Sequence, residues 1–202
     1  MDTNRLKKFA QGARTTLMAQ VAAKLDLVLD DGSLARREAL NAVKELEGDI
    51  AATSKPQIVE KVAYIWFNRF CALRFMDANG YTNPRTVTPA DDQTRPELLA
   101  EAAAGNTDIP AVVALLDGRT PSRDAQTEAY RILLVAACNH WHGPMPFMFE
   151  RSADYTELLL PDDLLSPDSL LSRLRAALTD EDCADVVAAS SARFDQHEVD
   201  GD

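Results

Sequence analysis

This 202-residue chain is poor in the residues from which most enzymatic sites are built. It has three cysteines, Cys71, Cys138 and Cys183, far apart and odd in number. No CxxC pair exists, so the spacing supports neither a disulfide framework nor a zinc ribbon; reduced thiols in a cytoplasmic protein are expected. Cys71 and Cys138 lie in apolar runs and read as small hydrophobes. The eight glycines never fall into GxGxxG or the GxxxxGK pattern of a phosphate cradle. There are three histidines and no HExxH. The nearest metal-like feature is His140-Trp141-His142 beside Cys138. Two imidazoles two positions apart on a helix point away from each other, so they make poor co-ligands. No apolar run approaches the eighteen or so residues of a membrane span. The first residues, MDTNRLKKFAQGAR, lack the unbroken apolar stretch of a signal peptide.

Positive charge is also missing from most of the chain. No lysine follows Lys61. Residues 1–80 carry 12 Lys and Arg against 10 Asp and Glu, or +2, whereas residues 81–202 carry 9 against 22, or −13. Only the first part is suited to face a polyanion; the remainder would repel DNA unless its acidic face pointed away.

What the chain does have is apolar residues, 46% of the total. They recur with helical rather than strand periodicity. The densest stretch is Ile58 to Tyr81, IVEKVAYIWFNRFCALRFMDANGY. Its apolar positions nearly surround a helix, which must then be enclosed by other elements. The expected fold is mainly α: an irregular multi-helix domain around this central apolar helix, about residues 56–79, with a long Pro-rich loop near 82–96.

The chain divides in this reading into an N-terminal three-helix part (1–81), a loop and short-helix insert (82–121), a C-terminal helical part packing on the first (122–192) and an acidic flexible tail (193–202). Helix one spans Asp2 or Thr3 to about Val28, and helix two runs from about Leu34 to Ala52. Ser54 caps the central helix, with Pro56 in its first turn, and Asn79-Gly80 ends it. Further helices are expected at Pro96–Ala104, Ile109–Leu116, from about Arg123 through His140, at Tyr155–Leu160, and from a cap at Ser166 or Asp168 to Leu178. The TDED run at Thr179–Asp182 reads as a capping box opening a last helix to about Ala192. Arg85–Thr88 and Pro146–Phe149 are the only strand-like stretches.

Arg69 and Arg74 stand out inside the aromatic helix, because an enclosed guanidinium needs a carboxylate, a carbonyl or a ring. Glu150 and Asp154 are the expected partners. Met145, Pro146 and Phe147 are expected to pack on the same aromatic face, against Trp66, Phe67, Phe70 and Phe75. On helix one, Lys7, Lys8, Arg14 and Lys24 are the candidate contacts to a DNA backbone. The carboxylate pairs Asp91-Asp92 and Asp162-Asp163 sit in turns and are explained by turn geometry.

Three segments in sequence carry a resemblance. They are LKKFAQGAR (Leu6–Arg14), AYIWFNRFCALRFMDANGY (Ala63–Tyr81), and YRILLVAACN followed by MPFMFERSADYTELLLPDDLLSPDSLLSRL (Tyr130–Asn139 and Met145–Leu174). Together they resemble the N-terminal region of PglX, the adenine-specific DNA methyltransferase of BREX phage-defence systems, over about residues 3–178. That family transfers methyl from S-adenosylmethionine to the N6 of adenine through a glycine-containing cofactor loop and an NPPY-type motif that holds the flipped base. Neither is present here; Asn83-Pro84-Arg85 does not match. The resemblance thus implies no catalytic or cofactor residue in this chain. It implies a non-catalytic helical domain that supports a methyltransferase domain or chain, DNA contacts or docking of other BREX proteins. The alternative is a stand-alone interaction or regulatory protein, even an acidic DNA mimic, acting on a separate methyltransferase.

Overall fold

The computed structural model describes residues 3–149 and 154–186. Among these the structure is helical, with no strand beyond an isolated Pro89–Pro96 bridge. The order is α1 (Thr3–Leu29), α2 (Leu34–Glu38), α3 (Leu40–Ala52), α4 (Lys55–Ala78), α5 (Glu97–Ala103), α6 (Pro110–Leu116), α7 (Ala125–His142), α8 (Asp154–Leu158) and α9 (Leu170–Ala177). Residues 180–186 are helical as well.

The central helix is α4. Ser54 accepts a hydrogen bond from the Gln57 N–H, and Pro56 sits in the first turn, where its missing N–H costs nothing. At the other end Tyr81 N–H reaches Met76 O and Gly80 N–H reaches Asp77 O, with Gly80 at φ 71. That is a Schellman ending, whose left-handed residue favours glycine. Eleven residues of α4 are buried, including Trp66, Arg69, Phe70, Leu73, Arg74 and Asp77. The enclosure is incomplete: Glu60, Lys61 and Tyr64 face solvent.

The most extensive helix pair is α1 against α4, followed by α6 against α7, and α1 also packs on α9. The buried stripe of α1, Ala13, Leu17, Val21, Leu25 and Val28, follows the expected helical spacing. Segment 34–52, read as one helix, is instead two. The break is at Ala39 (φ −133, ψ 44), although Ala39 N–H still reaches Ala35 O at 2.8 Å. The short α2 is held over the end of α1 by Ser33, whose hydroxyl donates to Val28 O at 2.9 Å, and by Arg36. Its guanidinium donates to Leu29 O (2.8 Å), Asp30 O (3.2 Å) and Glu47 (2.7 Å). These tertiary bonds turn α2 away from the α3 axis.

Three further expectations are corrected. Arg85–Thr88 joins no strand, because the N–H groups of Thr86, Val87 and Thr88 are taken by a side chain of α4 and that of Arg85 by Glu97 of α5. Within Pro146–Phe149 the chain is a turn, with Met148 and Phe149 N–H both donating to Met145 O. The cap of α9 is Ser169, which accepts from Ser172 N–H at 3.2 Å, not Ser166 or Asp168. The expected capping box is present, however. Thr179 Oγ1 accepts from Asp182 N–H, and the Asp182 carboxylate accepts from Thr179 N–H and Oγ1–H. Residues 187–192 of the expected last helix and the tail at 193–202 lie outside the described residues.

The proline-rich loop is fastened to α4 by one buried carboxylate. Asp77 accepts hydrogen bonds from Thr82 Oγ1 (2.6 Å), Thr86 N–H (2.7 Å), Val87 N–H (2.8 Å) and Thr88 N–H (2.8 Å). The loop carbonyls are matched from the other side. Thr86 O accepts from the Tyr130 hydroxyl (3.0 Å), Val87 O from Arg175 Nη1 (3.0 Å) and Thr88 O from Glu97 N–H (3.0 Å). A backbone with every group paired in this way can be buried without a sheet, and Val87 is fully enclosed.

Asp77→Ala removes the acceptor and strands the buried N–H groups of Thr86 and Val87, the half-buried N–H of Thr88 and the buried Thr82 hydroxyl. At about 1–3 kcal/mol for each unsatisfied group, with partial relaxation, the expected loss is about 3–5 kcal/mol. Thermal and urea unfolding should show it as a midpoint lowered by about 10 °C. A loss under about 1 kcal/mol would mean the loop does not depend on this carboxylate.

Candidate functional site

The four candidate DNA-contacting residues of α1, Lys7, Lys8, Arg14 and Lys24, do not form one patch. Successive residues turn about 100°, so Lys7 and Arg14 share a face, while Lys8 and Lys24 point to nearly opposite sides. Arg14 is ion-paired with Glu60 of α4, both exposed. Lys24 is paired with Asp162 at 2.6 Å. Lys7 and Lys8 are exposed and adjacent on the first turns of α1.

Trp66 lies fully buried, and its indole N–H donates to Thr156 O of α8 at 2.9 Å. The Arg69 guanidinium stacks on the Trp66 ring, 4.9 Å from its centroid, a cation–π arrangement strengthened by burial. Arg74 is also buried. It donates to Leu178 O (2.9 Å) and Thr88 Oγ1 (3.2 Å) and pairs with Asp180. Its carboxylate partner therefore lies beyond α9, not in the loop before α8. Glu150 and the side chain of Asp154 lie outside the described residues. Of the aromatic side chains of α4, Phe67 meets Phe9 of α1, and Phe75 meets Tyr81. Phe147 is 82% exposed, while Met145 and Phe149 do pack on the core. Phe147 follows Pro146 in this turn and faces outward, and Phe149, two residues on, fills the interior instead.

The segment from α8 to Asp163 is tied to four helices. Besides Trp66, Tyr155 donates its hydroxyl to Asp49 of α3 at 2.6 Å and accepts from Lys61. Arg131 of α7 donates to Leu160 O (2.7 Å), Pro161 O (3.0 Å) and Asp162 (2.9 Å), and Lys24 of α1 shares that carboxylate. The WFNR block of α4 and the DYTELLLP block thus meet through Trp66 and Thr156. Both are structural joints, and neither sets a nucleophile beside a base.

The thiols are equally quiet. Burial pushes Cys71 up to about 12, helped by Cys183, and burial likewise pushes Cys138 up to about 12 against the opposing influence of Arg69. His142 holds Phe149 O at 2.8 Å, and His140 packs edge-on against Trp141. Among the described residues no three His, Cys, Asp or Glu side chains converge as metal ligands. No helix of the described residues is long and apolar enough to cross a membrane.

Two apolar clefts among the described residues were missed in the sequence. One lies between α1 and α4, walled by Met18, Phe67 and Tyr64, with Lys7 at its rim. Tyr64 is 68% exposed. The other, of about 920 Å³, lies where α1 and α2 meet α7 and α8, with Leu27, Leu34, Ile132, Val135 and Leu158 on its walls. Leu27 was legible as a leucine off the α1 stripe; the cleft was not, because it depends on the break at Ala39.

No protein-family model matches the chain. It is similar to the adenine-specific methyltransferase BrxX of Escherichia coli O9:H4 (strain HS), 33% identical over 90% of this chain and 17% of that protein. It is also similar to the adenine-specific methyltransferase PglX of Lacticaseibacillus casei (strain Zhang), 28% identical over 79% of this chain and 16% of that protein. The chain spans about a sixth of the length of these curated relatives.

With thiol pKa values near 12, only about one in 10⁴ of the Cys71 and Cys138 side chains is thiolate at pH 8. Labelling by a thiol-specific disulfide reagent should therefore be far slower for these two in the native protein than in urea. Rapid native labelling of Cys71 or Cys138, located by peptide mapping, would contradict the burial described.

Proposed function

We propose that this chain is a non-catalytic helical region of a PglX-like BREX adenine-specific DNA methyltransferase, acting in the cytoplasm in anti-phage defence. The observation that carries the reading is the similarity itself. It runs through nine-tenths of this chain yet takes in only about a sixth of BrxX. In this reading methyl transfer from S-adenosylmethionine belongs to the remainder of the larger assembly, and this region supports it mechanically. The geometry supports a scaffold role: the buried arginines, Asp77 and Trp66 are all engaged in holding helices and a loop together.

Contact with DNA is the second part of the proposal. Arg14 and Lys24 are committed to carboxylates, so Lys7 and Lys8 are the residues assigned to the phosphate backbone. Two lysines give weak, salt-sensitive and sequence-independent binding, with log K falling by roughly 0.9 per phosphate neutralised for each unit of log salt. The strongly acidic residues 81–202 oppose broader contact.

Calorimetry of the purified chain with S-adenosylmethionine should register no binding; a micromolar dissociation constant would sink the non-catalytic assignment. In a mobility-shift assay at low salt, duplex DNA should be retarded. Lys7→Glu together with Lys8→Glu should abolish the shift. Absence of any shift for the unmodified protein would remove the DNA-contact part and leave the scaffold reading to stand alone.

A further inference from the structure

We infer that the cleft between α1, α2, α7 and α8 is a docking groove for a basic amphipathic helix of another polypeptide segment. Its walls are aliphatic, and two leucines stand out at its edge: Leu27 is 63% and Leu34 58% exposed. Large aliphatic side chains beside an open apolar cleft mark an interaction site more than a solvated face. At about 920 Å³ the cleft seats several side chains at once. That matches the way a helix lays residues spaced at i, i+3, i+4 and i+7 into a groove.

The charge around the groove chooses the occupant. Asp26, Asp30, Glu38 and Glu157 line it, Glu157 being engaged within the fold as well. The cations that also line it, Lys24 and Arg131, share the one carboxylate of Asp162, at 2.6 and 2.9 Å, so they set one net positive charge against four acids. Asp26 has Lys55 at 3.4 Å, a long and exposed pairing. Arg36 of α2 is engaged by Glu47 and by Leu29 O at the end of α1. The groove is therefore apolar inside and acidic at its edge. An acidic edge repels DNA and anionic membrane surfaces, and it favours lysine or arginine flanking an apolar stripe. The inference does not rest on membership in a methyltransferase, because it uses only the cleft and its charges.

The test uses two labelled helical peptides of about 18 residues with the same leucine stripe, one filled with lysine and its twin with glutamate. Fluorescence anisotropy with the full chain should show the lysine peptide binding at least about tenfold tighter than the glutamate twin, with the difference shrinking as salt rises. Leu27→Asp with Leu34→Asp should weaken the lysine peptide at least about tenfold; both positions are exposed, and circular dichroism with a thermal midpoint establishes that the variant is folded. Asp26→Lys with Glu38→Lys should reverse the preference toward the glutamate peptide. Tyr64→Asp, in the other cleft, should change nothing. Equal affinity for the two peptides overturns the proposal, as does binding indifferent to the leucine pair. A concentration-dependent dimer abolished by the leucine pair would overturn it in favour of a second copy as the occupant.

Discussion

A single buried carboxylate fixes how the two halves of this fold meet. Asp77 stands at the end of α4, where the helix dipole disfavours negative charge. It is stable there because four donors converge on it from residues 82–88. Three of those donors are backbone amides of consecutive residues, and such an arrangement holds a loop as firmly as a strand partner would. With the N–H groups satisfied, the carbonyls of the same residues can take Tyr130 from α7 and Arg175 from α9. The Asp77 charge is felt at both, and at Arg175 it opposes the burial that pulls the guanidinium down. Polar networks of this kind specify one arrangement when every member is paired.

A second joint does the same for the other side of α4. Trp66 anchors α8 through one indole hydrogen bond, and Arg131 and Lys24 hold the segment behind it through Asp162. The two joints engage several of the buried polar groups among the described residues. Arg69 stacks on Trp66, and Arg74 pairs with Asp180 across from Thr88. The motifs that resemble a methyltransferase are thus the ones that assemble the domain. A family can be recognisable from a scaffold as well as from an active site, when the scaffold needs particular donors and acceptors at particular places.

Much of the helical layout was readable. The stripe of α1, the Ser54 cap with Pro56, the Asn79-Gly80 ending and the Thr179–Asp182 capping box are local features set by neighbours within a few residues. The errors arose where distant residues decide. Ala39 breaks a helix because Arg36 reaches back to α1 and across to Glu47. Phe147 reads as core by composition but faces solvent, since the turn after Met145 directs Phe149 inward instead. Lys24 and Arg14 read as free cations until the tertiary fold sets Asp162 and Glu60 beside them.

Sequence alone determined that the chain is helical, that its centre is the Ile58–Tyr81 stretch and that it resembles one family of adenine methyltransferases. Periodicity and capping are short-range, and motif similarity needs no coordinates. Only the tertiary structure decided which charges are spent and which are offered. Ion pairs such as Lys24–Asp162 join residues 138 positions apart, and no local pattern encodes that distance. The same holds for the acidic-edged cleft, whose walls come from four helices and whose opening exists because α2 turns away from α3.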